Sequence, residues 1–165
     1  MIFTISPTVS AQLPAIVKIN QEALPAVSSV TLEDMEHFLS IVDYFRTLQL
    51  DDTIAGFLIA LTPGKDYHSP NYKWFEKKFD SFMYVDRIVI DPAYQSNGFG
   101  WAFYNNLREF TEGRSPRITC EVNLRPPNER SIIFHEKYGF RQVGTQETEE
   151  GKKEVSLMEY KINSS

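Results

Sequence analysis

At residues 90–100 the sequence reads Ile90-Asp91-Pro92-Ala93-Tyr94-Gln95-Ser96-Asn97-Gly98-Phe99-Gly100. This stretch decides the fold, because an apolar run typical of a strand ends at Ile90 and an amphipathic run typical of a helix begins at the glycines. Glycine lets the backbone approach an anion closely, and the first N–H groups of a helix carry the positive end of its dipole. We therefore predict a phosphate-binding turn between a strand and a helix.

Two other nucleotide-binding turns fit this stretch less well. A triphosphate-binding loop requires Gly-Lys-Ser/Thr, whereas Trp101 and Ala102 follow Gly100. A dinucleotide-binding turn would use Glu121 as its ribose-binding acid, but it requires a third glycine where this chain has Phe103, and a tighter junction before the glycines. A helix start with a purely structural role stays open as a third alternative.

The sequence on both sides of the glycines predicts a single α/β domain over 1–165. Strands are predicted over 82–90 and 117–123 with a helix over 98–111 between them, so these strands are expected to be parallel. The other predicted elements are a strand over 1–6, a helix over 11–23, a helix that begins with a capping box at Thr31 and Asp34 and continues to Phe45, a hairpin over 48–61, a helix over 131–138 that Gly139 ends, and a closing hairpin of 140–146 with 155–162. The long connection over 62–80 is rich in aromatic residues, which predicts an ordered functional loop rather than a solvated spacer.

Composition and charge exclude several classes of protein. The chain has 165 residues, 42% of them hydrophobic, and a net charge of −5, which argues against electrostatic binding of nucleic acid or of an anionic membrane. Its one cysteine, Cys120, excludes an intramolecular disulfide, and its three histidines lack metal-ligand spacing, so no metal is expected. The first ten residues do not read as a signal peptide and no apolar run has the length of a membrane span. We therefore expect a cytoplasmic protein.

The motifs of this chain resemble those of the Gcn5-related N-acetyltransferases. The stretch from Gln95 to Gly100 matches the family's signature Gln/Arg-x-x-Gly-x-Gly/Ala, and it follows Ile90-Asp91-Pro92 where the family has Val-x-Pro. The family's second signature is approximated at identical spacing by Asn128, Ser131, His135, Gly139 and Phe140. The resemblance covers nearly the whole chain and implies a mixed, mostly antiparallel, splayed sheet flanked by helices, with a β-α-β core that binds acetyl-CoA.

The resemblance also implies which residues bind acetyl-CoA and what the protein does with it. The N–H groups of Gln95, Ser96, Asn97, Gly98, Phe99 and Gly100 would hold the diphosphate, the strand residues Ile88, Val89 and Ile90 would pair with the pantetheine arm, and Asn128, Ser131 and His135 would lie at the cofactor. The implied reaction moves an acetyl group from acetyl-CoA to a primary amine of a small molecule or peptide. A non-catalytic acyl-CoA-binding module would keep the same turn and is the alternative.

Two acidic residues are candidates for the base that deprotonates the amine. Strand alternation over 117–123 places Glu121 on the face opposite to Ile118, Cys120 and Val122, and it aligns with the base of family members that acetylate protein N-termini. This chain has two more residues between Glu121 and Asn128 than the family pattern has, which weakens that alignment. Asp86 is the rival base, with an ion pair to a neighbouring helix as its structural explanation.

The acid that protonates the departing thiolate is a tyrosine in most of the family. Here His135 occupies the matching position, and Tyr138 is the second candidate donor. The alternative for both His135 and Tyr138 is a structural role in which the side chain only packs against its neighbours. We expect the aromatic segment over 62–80 to fold over the acceptor cleft. The acceptor's identity stays open at this stage, and pairing of chains, which is common in the family, allows a homodimer.

Overall fold

The computed structural model describes residues 2–162, so Met1, which the sequence places in the first strand, lies outside the described part. These described residues form seven strands and five α-helices. In chain order they are β1 Thr4–Pro7, α1 Leu13–Glu22, α2 Leu32–Ile41, β2 Tyr44–Leu50, β3 Thr53–Leu61, α3 Pro70–Lys78, β4 Met83–Ile90, α4 Phe99–Thr111, β5 Arg117–Arg125, α5 Glu129–Tyr138, β6 Arg141–Thr148 and β7 Lys153–Lys161.

The strands form one open mixed sheet in the order β1-β2-β3-β4-β5-β7-β6. The pairs β1–β2, β2–β3, β5–β7 and β6–β7 are antiparallel. The pair β4–β5 is parallel, with Met83 opposite Ile118 and Tyr84 opposite Thr119. The predicted mixed, mostly antiparallel sheet with a parallel β-α-β unit is therefore confirmed.

The described chain divides into two compact units. The first unit contains the chain up to Leu61 together with Arg87–Leu107, and the second contains Thr62–Asp86 together with the chain from Arg108 onward. Strand β4 passes from the second unit into the first between Asp86 and Arg87.

The first unit is built on α1, α2 and the hairpin β2–β3. Helix α2 begins where the sequence predicts, because Thr31 Oγ1 accepts the Asp34 N–H at 3.1 Å and the Asp34 carboxylate accepts the Thr31 N–H at 2.9 Å. The buried Arg87 of β4 donates to the side-chain oxygen of Asn20 and to the carbonyl of Ser28, each at 2.9 Å. These bonds tie the connection between α1 and α2 to the strand.

The second unit has an aromatic core that the sequence only partly predicts. Tyr72 and Phe75 of α3 pack on Phe82 and Tyr84, with ring centroids 5.5–6.1 Å apart, and all four rings are fully buried. On β7, the buried carboxylate of Glu159 pairs with two arginines at the sheet surface, Arg117 at 2.8 Å and Arg141 at 3.5 Å.

Two element predictions need correction. The helix predicted to continue to Phe45 ends at Ile41. Phe45 belongs to β2, because it pairs with β3 in the antiparallel sheet although its spacing fits a helix. The connection over 62–80 is not a loop throughout but contains α3, which Ser69 caps and Pro70 begins. Over residues 2–162, no helix combines the length and the apolar character that crossing a membrane would require.

Candidate functional site

The glycine turn after β4 has the backbone geometry of a tight, exposed loop. Ser96 and Gly98 both adopt positive φ angles, +68° and +78°. The Asn97 side chain braces the loop by donating to the Tyr94 carbonyl at 2.9 Å, and Asp91 accepts the Ala93 N–H at 2.9 Å. The turn is therefore held by its own side chains.

The start of α4 leaves backbone N–H groups without intrahelical acceptors. The Ala102 N–H donates to the Gly98 carbonyl at 3.0 Å, which is the first turn of the helix. The N–H groups that precede it in a helix have no intrahelical acceptor. A Cβ built on Gly98 would meet no atom within 4 Å, so the space on that side of Gly98 is open. This arrangement fits a bound diphosphate, as the sequence predicts.

Strand β3 approaches the last residues of β4 closely. A Cβ on Gly56 would lie 2.6 Å from the Val89 carbonyl oxygen and 2.8 Å from Ile90 Cδ1, so only glycine fits at that position. The Asp91 N–H also donates to the Ala55 carbonyl at 2.8 Å. Gly56 therefore lets β3 pack closely on the last residues of β4, the segment that is predicted to pair with the pantetheine arm.

Two carboxylates of the second unit are each bonded to a tyrosine hydroxyl. Tyr84 donates to Glu121 Oε1 at 2.8 Å. Tyr67 donates to Asp86 Oδ1. The other oxygen of Glu121, Oε2, is shielded from solvent. The structure thus brings both candidate bases into one carboxylate–tyrosine cluster, which we define as Tyr67, Tyr84, Asp86 and Glu121.

The charges of the cluster act on Tyr84. Burial raises the pKa of the Tyr84 phenol well above its usual range, and the negative charges of Glu121 and Asp86 raise it further. Tyr84 therefore stays protonated at neutral pH and remains a donor to the carboxylate. Glu121 lies on the strand face that the sequence predicts. That face is also covered, since Thr119 on it is fully buried.

Helix α3 and the loop before it hold Tyr67 in place. The Tyr72 hydroxyl donates to the Thr62 carbonyl at 2.6 Å and accepts the Lys65 N–H at 3.0 Å. The Glu76 carboxylate accepts the Gly64 N–H at 2.9 Å. The rings of Tyr67 and Tyr72 meet edge to face at 5.5 Å. The loop is consequently ordered by its own helix.

The residues of the second predicted signature lie along α5 and at its two ends. The Asn128 side chain caps the helix by accepting the Ser131 N–H at 3.4 Å. His135 is 4% exposed, and its Nδ1 lies 2.7 Å from the Ser131 carbonyl, so Nδ1 carries the hydrogen and the other ring nitrogen, Nε2, is the acceptor in the neutral ring. Burial lowers the pKa of His135 below 6.5. Its ring also meets Phe140 edge to face at 5.3 Å.

Tyr138 lies in an aromatic group at the end of α5. Its ring centroid is 5.2 Å from that of Tyr160 and 6.1 Å from that of Phe140. Burial raises the pKa of Tyr138 to about 12, against an opposing effect of the Arg108 charge. Its hydroxyl is therefore protonated throughout the neutral range.

Sequence reasoning missed the tyrosine partners of both carboxylates. The bond from Tyr84 to Glu121 crosses between β4 and β5, so it depends on the register of the two strands. The bond from Tyr67 to Asp86 depends on the fold of the segment before α3. Within the described part of the chain, no group of three or more His, Cys, Asp or Glu side chains is placed to hold a metal ion.

Comparison with known proteins identifies one family. The sequence model of the acetyltransferase (GNAT) family matches residues 13–140, well over half of the chain. No curated protein sequence matches this one.

Solved structures share the fold at low sequence identity. Ard1 from Thermoplasma volcanium superposes with a TM-score of 0.82 at 14% identity, over 99% of this chain and 100% of that one. The ribosomal-protein-S18-alanine N-acetyltransferase from Escherichia coli gives 0.74 at 20% identity, over 99% and 96%. The yncA structure from Salmonella typhimurium, with its cofactor acetyl-CoA, gives 0.73 at 14% identity, over 100% and 96%.

Proposed function

This chain belongs to the acetyltransferase (GNAT) family, and from that premise we propose that it is an acetyl-CoA-dependent N-acetyltransferase. It moves the acetyl group to a primary amine of a small molecule or peptide, by direct attack in a ternary complex. The observation that carries the proposal is the hydrogen bond from the buried Tyr84 to Glu121, because a carboxylate held in one position suits deprotonation of an ammonium group.

The glycine turn and the end of β4 would hold the acyl donor. Acetyl-CoA supplies an activated thioester, so the chain needs no nucleophile of its own. The N–H groups from Gln95 to Gly100 would bind the diphosphate, and the backbone from Ile88 to Ile90 would pair with the pantetheine arm. The open space beside Gly98 and the family's use of acetyl-CoA support this placement.

Glu121 would receive the proton of the acceptor. An aliphatic ammonium group has a pKa of about 10 and must lose a proton before its nitrogen can attack. The bond from Tyr84 fixes one oxygen of the carboxylate that would take that proton. Because the phenol of Tyr84 stays protonated, it does not compete for the proton.

We assign protonation of the departing thiolate to Tyr138 rather than to His135. Tyr138 keeps its proton at neutral pH. A neutral His135 that donates from Nδ1 to Ser131 has only an acceptor at Nε2, and burial opposes its protonation. His135 then serves by packing α5 against Phe140.

The proposal extends to the acceptor and to the cellular setting. The Escherichia coli neighbour acts on the alanine of a ribosomal protein, so a peptide amine is as eligible here as a small-molecule amine. A chain with one cysteine, Cys120, and an acidic net charge is consistent with a reaction in the cytoplasm.

Isothermal titration followed by a thiol-release assay tests the proposal. We expect micromolar binding of acetyl-CoA and none of NADH or ATP. We then expect thiol release with at least one of spermidine, kanamycin, an amino-acid mixture or a peptide. Binding without release from any amine would favour the acyl-CoA-binding module, and binding of NADH instead of acetyl-CoA would overturn the proposal.

A further inference from the structure

Gly56 of β3 leaves no room for a side chain beside the end of β4. A Cβ at Gly56 would lie 2.6 Å from the Val89 carbonyl oxygen and 3.4 Å from Ile90 Cα, and both are main-chain atoms that cannot rotate away as a side chain could. The φ angle of Gly56 lies outside the left-handed region, so this position needs glycine for space and not for backbone freedom. The main chain of β4 therefore sets the limit on what residue 56 can be.

The same contact shows how the backbone of Ile90 is directed. The Val89 carbonyl lies on the β3 side, and the peptide bond between Val89 and Ile90 is trans, so the Ile90 N–H points away from β3. The Asp91 N–H donates to the Ala55 carbonyl of β3 at 2.8 Å. Across that second trans peptide bond, the Ile90 carbonyl also points away from β3. Ile90 thus presents a donor and an acceptor on one side of β4.

A rigid peptide unit transmits a shift of the Val89 carbonyl to the Ile90 N–H. The atoms of the unit lie close to one plane, so pushing the oxygen away from β3 tilts the N–H at the other end of the unit. The Val89 side chain is 4% exposed, and a close-packed side chain leaves the strand little freedom to absorb the shift by sliding. A side chain at position 56 would therefore redirect the Ile90 donor.

A donor and an acceptor on one strand residue match an amide group of a ligand that lies alongside the strand in an extended form. The pantetheine arm of acetyl-CoA contains such amide groups. We infer that Gly56 is a positioning residue for the acyl donor, which acts through the Val89–Ile90 peptide and directs the Ile90 N–H at an amide carbonyl of the arm. This inference rests on the proposed binding of acetyl-CoA along β4.

Gly56→Ala and Gly144→Ala form a matched pair that tests the inference. A Cβ at either position would lie 2.6 Å from its nearest neighbour, which is the Val89 oxygen for one and Trp74 Cζ2 for the other, so both variants should lower Tm. Only Gly56→Ala should weaken the binding of acetyl-CoA in isothermal titration. We expect a dissociation constant about threefold to tenfold higher, which is the effect of one hydrogen bond between uncharged groups.

Amide hydrogen exchange measured by NMR gives a second test, which needs no variant. In the unmodified protein, acetyl-CoA should slow the exchange of the Ile90 amide, because the arm would shield and bind it. In Gly56→Ala saturated with acetyl-CoA, the slowing at Ile90 should be smaller. The slowing at Gly100, whose N–H is predicted to bind the diphosphate, should stay the same.

The outcomes distinguish the inference from the function on which it rests. Unchanged affinity in Gly56→Ala, or an equal loss in Gly144→Ala, overturns the inference while the function stands. Exchange of the Ile90 amide that acetyl-CoA does not slow also overturns it, and this measurement decides the question if Gly56→Ala does not fold. Failure of the unmodified protein to bind acetyl-CoA overturns the proposed function itself.

Discussion

Substituting Gly98 by alanine separates a binding role of the glycine turn from a merely structural one. Gly98 has φ +78° and Gly113, in the turn after α4, has φ +80°, and a Cβ at either position would meet no atom within 4 Å. Alanine at a positive φ costs about 1–2 kcal/mol. Gly98→Ala and Gly113→Ala should therefore destabilise the fold about equally, which lowers Tm by about 2–8 °C in a domain of this size.

Only the Gly98 variant should weaken the binding of acetyl-CoA. Its Cβ enters the space beside the N–H groups at the start of α4, so the diphosphate must move away from them. Weakening one hydrogen bond to a charged acceptor costs about 1.5–3 kcal/mol, which corresponds to an affinity about tenfold to hundredfold lower. Isothermal titration and thermal unfolding of both variants measure the two effects separately.

Either of two results would refute this reasoning. Equal affinity of Gly98→Ala and the unmodified protein would show that the diphosphate does not lie against the turn. Equal weakening by Gly113→Ala would show that the loss follows from destabilisation and not from the site.

Three further variants test the packing and charge of the second unit. Gly144→Ala places a Cβ 2.6 Å from Trp74 Cζ2 and should destabilise the fold by about 1–3 kcal/mol in urea unfolding. Burial lowers the pKa of His135, so its neutral form contributes to the free energy of unfolding above pH 6.5, and this contribution is lost as the pH falls below 6.5. His135→Asn should therefore reduce the fall in the free energy of unfolding between pH 7 and pH 5. The control His68→Asn, at an exposed residue, should leave that fall unchanged. Glu159→Gln removes the buried counter-charge of Arg117 and Arg141 and should cost about 2 kcal/mol at pH 7, and a loss near zero would contradict the importance of these ion pairs.

The parts of the fold with local signals are predictable from the sequence. The capping box of Thr31 and Asp34, the glycine turn at Gly98 and the helix stop at Gly139 each depend on residues within one or two turns. The parallel pairing of β4 and β5 follows from the helix between them. These features need no knowledge of distant contacts.

The two errors in the predicted elements have different causes. Phe45 fits a helical spacing, but pairing with β3 places it in a strand. Helix α3 carried a readable signal, since Ser69-Pro70 is a typical helix start and Tyr72 and Phe75 follow at helical spacing, yet the aromatic content of the segment favoured a loop interpretation.

The candidate site also has one part that the sequence predicts and one part that it does not. Strand alternation predicts the faces on which Glu121 and Asp86 lie, because alternation is a property of each strand alone, and the family resemblance indicates Glu121 as the base. Their partnership with Tyr84 and Tyr67 depends on the register of β4 with β5 and on the packing of α3. A single sequence contains no direct signal for either.

The most direct test of the account compares Glu121→Gln with the unmodified protein in acetyl transfer from acetyl-CoA. The amide keeps the shape of the side chain and can still accept the Tyr84 hydrogen bond, but it cannot take a proton from the acceptor. Loss of a general base lowers kcat by about 10²–10⁴. We predict a fall of that size with the acetyl-CoA dissociation constant unchanged by isothermal titration. A kcat within about twofold of the unmodified enzyme would contradict the assignment of Glu121 as the base.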